Sequence, residues 1–223
     1  MKQKKVALVP VREGSVRVKN KNFRPFAGEK SLLHLKLKQL KNSACFDHIY
    51  VSSDSETARN IAEEMKVEFL YRDPQMCEGD TPWSDVIHYM ASSIPGDPVV
   101  CLTYVTCPFQ QDYSKAVKEF VNNQSKFNNL ISVEEVHEFF VDSAARPLNH
   151  QWGVWHSRSQ DLKPLYKMTN AIFIAKKEDM IKWRYMIGTK IFLYNVSKLE
   201  SIDIDTPADY EFAELVFNSL KKR

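Results

Sequence analysis

The 223-residue sequence has little net charge, only six glycines and no long hydrophobic run. No apolar segment approaches the roughly 20 residues that a membrane-spanning helix needs, and the run after residue 5 is too short for a signal-peptide core. A formal charge of +3 without a basic stripe does not indicate a nucleic-acid partner. The low glycine count argues against a low-complexity chain. We therefore expect a cytoplasmic protein without a nucleic-acid or membrane partner.

Zinc-binding and disulfide patterns are also missing. The four cysteines contain no Cys-x-x-Cys pair, and the six histidines contain no His-x-His or His-x-x-x-His pair. Such short spacings are the usual signature of a structural zinc site. The sequence therefore indicates reduced thiols, which fits a cytoplasmic location, and argues against a zinc site.

Strand-like and helix-like segments alternate along the chain, which indicates an α/β fold with a mostly parallel, twisted sheet flanked by helices. The predicted strands cover residues 6–11, 46–53, 67–71, 98–103, 130–133, 171–175 and 190–196. The predicted helices cover residues 32–41, 55–65, 83–93, 113–122, 177–183 and 208–221. At this length we expect a single domain over residues 1–223, because two such domains would need a longer chain.

Residues 134–164 show no clear periodicity. Trp152, Trp155 and several histidines are scattered here among polar residues. A segment of this length without regular spacing is typical of a lid, a binding loop or an oligomerisation arm. We expect it to protrude from the domain.

The first predicted strand opens into a basic loop. Gly14 and Ser15 can form a turn after this strand, and Arg12 and Lys21 bring positive charge. Loops at the carboxyl edge of an open α/β sheet hold its ligand, and turn amides beside cations suit phosphate groups. The pattern indicates a site for a polyanion; a solvated basic loop without a ligand would have the same composition.

Two aspartates near the carboxyl terminus alternate with isoleucines. On an extended strand, Asp203 and Asp205 would point to one face while Ile202 and Ile204 pack on the other. Magnesium prefers one or two carboxylates together with phosphate oxygens and water. The alternative is that this segment only caps the last helix.

These two segments, with a third, resemble the CMP-sugar synthetase family. This family comprises the acylneuraminate cytidylyltransferases, which activate sialic acid, and the related CMP-Kdo synthetases. The opening loop resembles its Pro-Ala-Arg-x-Gly-Ser motif followed by Lys-Asn, and the carboxyl-terminal segment resembles its Asp-Ile-Asp-Thr motif. The matching residues are Pro10, Arg12, Gly14, Ser15, Lys21, Asn22, Asp203, Asp205, Thr206 and Asp209. Val16 and Arg17 depart from the family pattern, so the chain resembles a divergent member.

The resemblance implies a nucleotidyltransferase with a Rossmann-like fold, and it indicates the residues of the nucleotide half of the site. It implies that Arg12 and Lys21 are catalytic, that Arg72 reads the cytosine base, and that Asp203 and Asp205 hold Mg²⁺. An arginine suits base reading because its planar donor fork matches a carbonyl and a ring nitrogen; an exposed arginine after a strand is the alternative for Arg72. The expected nucleotide-binding residues are Arg12, Gly14, Ser15, Lys21, Asn22, Arg72 and Ser84.

The resemblance also marks a sugar half. Tyr104 stands where the family has a glutamine near the acceptor sugar, and a phenol lacks the paired donor and acceptor of an amide. We therefore expect the acceptor to be held differently. A third block, at residues 158–173, resembles the family's Arg-Arg-Gln-Asp-Leu segment. The expected sugar-binding residues are Tyr104, Arg158, Gln160 and Lys167.

The resemblance implies transfer of CMP from CTP to an acidic 2-keto sugar, with Mg²⁺ as cofactor. It also implies a homodimer formed through residues 134–164. Two alternatives follow from the departures at Val16, Tyr104, Ser159 and Lys167. One is a cytidylyltransferase for another small acidic acceptor, such as a phosphonate. The other is a catalytically inactive relative that binds nucleotide, and a turnover measurement separates it from an enzyme.

Overall fold

Helices and strands follow one another in the predicted order. The computed structural model describes residues 3–14 and 17–222, so Ser15 and Val16 lie outside the described residues. The strands are β1 (Lys5–Pro10), β2 (His48–Ser53), β3 (Glu68–Tyr71), β4 (Val99–Leu102), β5 (Asn129–Val136), β6 (Leu165–Lys176) and β7 (Ile191–Asn195). The α-helices are α1 (Leu32–Asn42), α2 (Glu56–Glu64), α3 (Trp83–Ser93), α4 (Tyr113–Asn123), α5 (Lys177–Trp183) and α6 (Pro207–Lys221).

The strands form a seven-stranded sheet in the order β3-β2-β1-β4-β6-β5-β7. Strand β1 pairs in parallel with β2 and β4, whereas β6 runs antiparallel to both of its neighbours. The predicted α/β fold with a mostly parallel sheet is confirmed. Because β1, β2 and β4 run in the same direction, their carboxyl ends meet at one edge of the sheet, where such folds place their ligands.

Each face of the sheet carries its own apolar core. One core joins β1 and β2 to helices α1, α2, α4 and α6, with side chains such as Val9 and Leu37. The other joins the opposite face to α3 and α5, with side chains such as Leu8 and Met90. Neighbouring residues of β1 therefore pack on opposite faces, as the period of two in a strand requires. Burial on both faces explains the continuous apolar composition of β1 and β4.

Strands β5 and β6 extend further than the sequence predicts. β5 reaches Val136 rather than residue 133, and β6 begins at Leu165 rather than residue 171. Their outer ends form a hairpin that pairs Glu134 with Lys167 and Val136 with Leu165. The outer end of β6 is exposed over residues 165–168, and β5 ends in two glutamates and a valine, so neither segment alternates apolar and polar residues as a half-buried strand does. The predicted aperiodic segment is therefore shorter, and residues 137–164 form an arm at the end of this hairpin.

The last helix begins at a capping box. The Thr206 side chain accepts from the Asp209 amide, and the Asp209 carboxylate accepts from the Thr206 amide. Asp209 therefore shapes the start of α6. The preceding residues 202–205 do not join the sheet, so the strand expected for Asp203 and Asp205 is wrong. Instead, the Ile204 amide donates to the Thr106 carbonyl at 2.9 Å, which attaches the segment to the loop after β4. Among the described residues, no helix combines the length and apolar character needed to cross a membrane.

Candidate active site

A cleft of about 530 Å³ opens at the carboxyl edge of the sheet. Its walls come from the loops after β1, β3 and β4 and from the segment before α6. The cleft brings together six predicted site residues, namely Arg12, Lys21, Asn22, Arg72, Tyr104 and Asp205. The sequence places them up to about two hundred positions apart, and the parallel strands unite them because each loop leaves the sheet at the same edge.

The loop after β1 carries two of the predicted cations. Gly14 has φ +78°, a left-handed conformation that favours glycine and turns the chain. The Arg12 guanidinium donates from Nη1 to the Cys77 carbonyl at 2.9 Å. The buried Asn22 side chain donates from Nδ2 to the Arg12 carbonyl at 3.1 Å. These contacts fix the start and the end of the loop against each other.

The carboxyl-terminal segment meets this loop through Asp205. Its Oδ1 lies 2.9 Å from Arg17 Nη2 and 3.6 Å from Lys21 Nζ. The mostly buried Lys21 also donates to the Ile204 carbonyl. One carboxylate thus faces two cations, so this part of the cleft retains positive charge that can accept an anion. This excess of positive charge supports the prediction that the loop binds a polyanion.

Arg72 lies at the inner wall of the cleft and is only 3% exposed. It donates from Nη2 to the Val11 carbonyl at 2.6 Å, from Nε to Cys77 Sγ at 3.0 Å and from Nη1 to Met90 Sδ at 3.2 Å. None of these acceptors is a carboxylate, so they orient the guanidinium without neutralising it. The alternative of an exposed arginine after a strand is wrong.

Asp203 lies beside the cleft rather than among its lining residues. Its Oδ2 accepts from Asn170 Nδ2 at 2.7 Å, and its Oδ1 lies 3.9 Å from Cys107 Sγ. No cluster of three or more His, Cys, Asp or Glu that could hold a metal occurs within residues 3–14 and 17–222. Two aspartates at or beside a cation-lined cleft still provide the hard oxygen donors that Mg²⁺ takes, since this ion uses one or two carboxylates and completes its shell with phosphate and water.

Aromatic side chains form another part of the wall. The ring of Tyr104 lies 6.2 Å from that of Trp83 and 6.3 Å, edge-on, from that of Phe173. Burial raises the pKa of Tyr104 well above its ordinary value of 10. The neutral phenol and the indole thus offer a largely apolar surface in this part of the cleft.

The remaining predicted residues lie elsewhere in the chain. Ser84 stands in the first turn of α3, next to the cleft residue Trp83, without lining the cleft itself. Arg158 pairs with Asp161 at 2.7 Å, and Lys167 pairs with Glu134 at 3.4 Å. Gln160 is exposed in a short 3₁₀-helix of the arm. Within the described chain, Arg158, Gln160 and Lys167 therefore do not meet Tyr104 in the cleft.

Sequence reasoning missed Lys36, which is fully buried in α1. Its ammonium donates to the Cys107 carbonyl at 2.8 Å and to Tyr113 Oη at 2.6 Å. Burial lowers the pKa of Lys36 from 10.5 to about 8. A signal was present, because Lys36 follows Leu32 and Leu33 at helical spacing and precedes Leu40 by one turn, on the apolar face. This lysine holds the loop after β4, which supplies Tyr104 and Thr106 to the cleft.

The open sheet and the cation-lined cleft at its carboxyl edge define an α/β protein of the nucleotidyltransferase fold. The family model described as cytidylyltransferase matches residues 6–221, and the chain belongs to this family. This confirms the family predicted from the motifs.

Individual relatives agree with the family. The chain is 26% identical over 222 residues to the N-acylneuraminate cytidylyltransferase of Streptococcus agalactiae, covering 93% of this chain and 52% of the relative. The chain thus spans about half the length of that protein. It is 30% identical over 227 residues to the CMP-N,N'-diacetyllegionaminic acid synthase of Legionella pneumophila, covering 94% of each.

A solved structure supports the fold independently. The CMP:2-keto-3-deoxy-manno-octonic acid synthetase complexed with CTP superposes with a TM-score of 0.72, covering 97% of this chain and 99% of that one. At 11% sequence identity this similarity shows the fold alone.

Proposed function

We propose that the protein transfers CMP from CTP to an acidic 2-keto sugar and releases pyrophosphate. The observation that carries the proposal is the gathering of Arg12, Lys21 and Arg72 with Asp205 in one cleft of a cytidylyltransferase-family chain. Relatives named for N-acylneuraminate and N,N'-diacetyllegionaminic acid support an acidic sugar as the acceptor. An acceptor of this kind must reach the α-phosphate of CTP in the cleft.

The cleft residues suit this reaction by position and charge. Arg12 and Lys21 would bind the phosphates and stabilise the charge that develops as pyrophosphate leaves. Arg72, held in the wall by three acceptors, would direct its remaining N–H groups at the base. The sugar hydroxyl would attack the α-phosphorus of CTP in line, the bond from that phosphorus to pyrophosphate would break, and the hydroxyl proton would leave to solvent, without a covalent enzyme intermediate. Holding the two reactants together would supply much of the rate enhancement.

Asp203 and Asp205 would hold Mg²⁺. When bound, the ion supplies neutralisation of phosphate charge and polarisation of the oxygens it contacts. Asn170 would keep the Asp203 carboxylate oriented through its 2.7 Å hydrogen bond. Lys21 and Arg17 would hold the Asp205 carboxylate in place.

The arm at residues 137–164 supports a homodimer. It exposes several large apolar side chains, namely Phe139, Val141, Leu148, Trp152, Val154 and Trp155. Exposed apolar surface of this kind marks interaction sites, and a second copy of the chain is the partner we propose. We also propose a cytoplasmic location, which the four unpaired thiols support.

The proposed reaction is tested by incubating the protein with CTP, Mg²⁺ and each of N-acetylneuraminic acid, N,N'-diacetyllegionaminic acid, pseudaminic acid and Kdo. We expect a CMP-sugar and pyrophosphate with at least one acid. The variant D203A should lose more than about tenfold in turnover, because it removes a proposed metal ligand. The matched control D97A changes an exposed aspartate outside the cleft and should keep turnover within about twofold. Binding of CTP without product from any of these acids would overturn the acidic-sugar acceptor and leave either another acceptor, such as a phosphonate, or an inactive relative.

A further inference from the structure

Cys77 contacts two of the three arginines that line the cleft, Arg12 and Arg72. Its carbonyl accepts from Arg12 Nη1 at 2.9 Å, and its Sγ accepts from Arg72 Nε at 3.0 Å. The two arginines lie 60 positions apart in the chain and leave different strands. Cys77 closes the short 3₁₀-helix Pro74–Cys77, which places its carbonyl and its side chain at the cleft wall. One residue therefore sets the relative position of both guanidinium groups.

The sulfur acceptor keeps the charge of Arg72 available to a ligand. A buried arginine is ordinarily paired with a carboxylate, which would cancel its charge. Here Arg72 instead contacts Cys77 Sγ, Met90 Sδ and the Val11 carbonyl. These neutral atoms fix the plane of the guanidinium and leave its charge uncompensated.

The thiol also lies close to a carboxylate. Burial raises the pKa of Cys77, Arg72 lowers it, and Asp54 raises it further. The Oδ1 atom of Asp54 is buried and makes no hydrogen bond within the described part of the chain. The protonated thiol thus lies near both the Asp54 carboxylate and the Arg72 guanidinium.

We propose that Cys77 is a positioning residue for the nucleotide, which holds Arg12 at the phosphates and Arg72 at the base of CTP. The inference rests on the proposed function, because it needs CTP in this cleft. It adds a role for a residue that touches the substrate only through the two arginines. Loss of the thiol should therefore affect nucleotide affinity and base discrimination through Arg72, and should leave the chemical step nearly unchanged because the backbone carbonyl that holds Arg12 remains.

The test uses C77V, which keeps the volume and the backbone carbonyl and removes the sulfur acceptor, and C77S, which restores a polar acceptor. Calorimetry gives the Kd for CTP and for UTP, and steady-state kinetics give KM and kcat. For C77V we expect the Kd and KM for CTP to rise about tenfold, the preference for CTP over UTP to fall about threefold or more, and kcat to stay within about twofold. C77S should recover most of the affinity and the base preference.

The matched control is C45V, which changes another half-buried thiol outside the cleft and should leave the Kd for CTP unchanged. Thermal melting shows whether C77V is folded, and C77A replaces it if it is not. Equal CTP affinity and equal base preference in wild type and in the folded Cys77 variants would overturn the inference and leave the proposed function intact. A wild type that binds no CTP would overturn the proposed function itself.

Discussion

At the scale of single residues, the site depends on charged side chains held by neutral partners. Arg72 contacts two sulfurs and a carbonyl, and Lys36 contacts a carbonyl and a phenol. Both of these buried cations make hydrogen bonds, and among the described residues neither has a directly bonded carboxylate. Removing a cation from water without an opposite charge lowers the free energy of unfolding. These contacts therefore fix the positions of the two side chains rather than add to the stability of the fold.

The pH dependence of stability tests the state of Lys36. Because burial lowers its pKa from 10.5 to about 8, the unfolded chain binds more protons at this lysine between those two values. Stability contributed by Lys36 therefore rises as the pH increases through this interval. Between about pH 7.5 and 9, the free energy of unfolding of wild type should increase by about 1 kcal/mol relative to K36M. Urea denaturation at each pH measures this difference.

The comparison with K36M cancels the titration of the nearby thiols, which both proteins share. K38M, which changes an exposed lysine of the same helix, should follow wild type at every pH. A constant difference between wild type and K36M over the interval would show that Lys36 has an ordinary pKa.

At the scale of helices and strands, the sequence predicts the bounds of an element best where local signals and burial agree. The loop after β1 and the start of α6 were found because glycine, cations and a capping sequence are local signals. The outer ends of β5 and β6 were missed because their sequences, Glu-Glu-Val and Leu-Tyr-Lys-Met, do not alternate apolar and polar residues as a half-buried strand does. Burial of Arg72 was missed because Cys77 and Met90 reach it from other elements, which no local pattern records.

The exposed apolar arm at residues 137–164 predicts an interface between two copies of the chain. Trp155 is 72% exposed, and in the proposed homodimer it would be buried against the second copy. W155D would place a carboxylate in that apolar interface. The dissociation constant of the dimer should therefore be at least about a hundredfold higher for W155D than for wild type. Sedimentation velocity over a range of protein concentrations measures this. Leu215 of α6 is also 72% exposed, and L215D is the matched control that should remain dimeric. A wild type that is monomeric at every concentration would refute the dimer.

At the scale of the whole molecule, the site joins distant parts of the chain. Asp205, just before α6, pairs with Arg17 and Lys21 of the first loop. Tyr210 of α6 donates to the Pro25 carbonyl, and Glu214 accepts from the Ala27 amide at 2.9 Å. A ligand that fills the cleft would contact the first loop, the wall after β3 and the segment before α6 together. Binding should therefore stabilise the folded chain as a unit.

Thermal unfolding with nucleotide tests this coupling without any knowledge of the acceptor. CTP with Mg²⁺ at about 100 times its Kd should add about 2.7 kcal/mol to the free energy of unfolding, because it binds only the folded state. For a chain of this size that corresponds to a rise in Tm of about 5–10 °C. K21M removes the mostly buried lysine beside Asp205, and a tenfold weaker Kd would reduce the rise to roughly half at the same CTP concentration. K19M changes an exposed lysine of the same loop and should show the full rise. Equal rises in K21M and wild type would mean that Lys21 does not bind the phosphates, because a lost contact must appear as a smaller stabilisation.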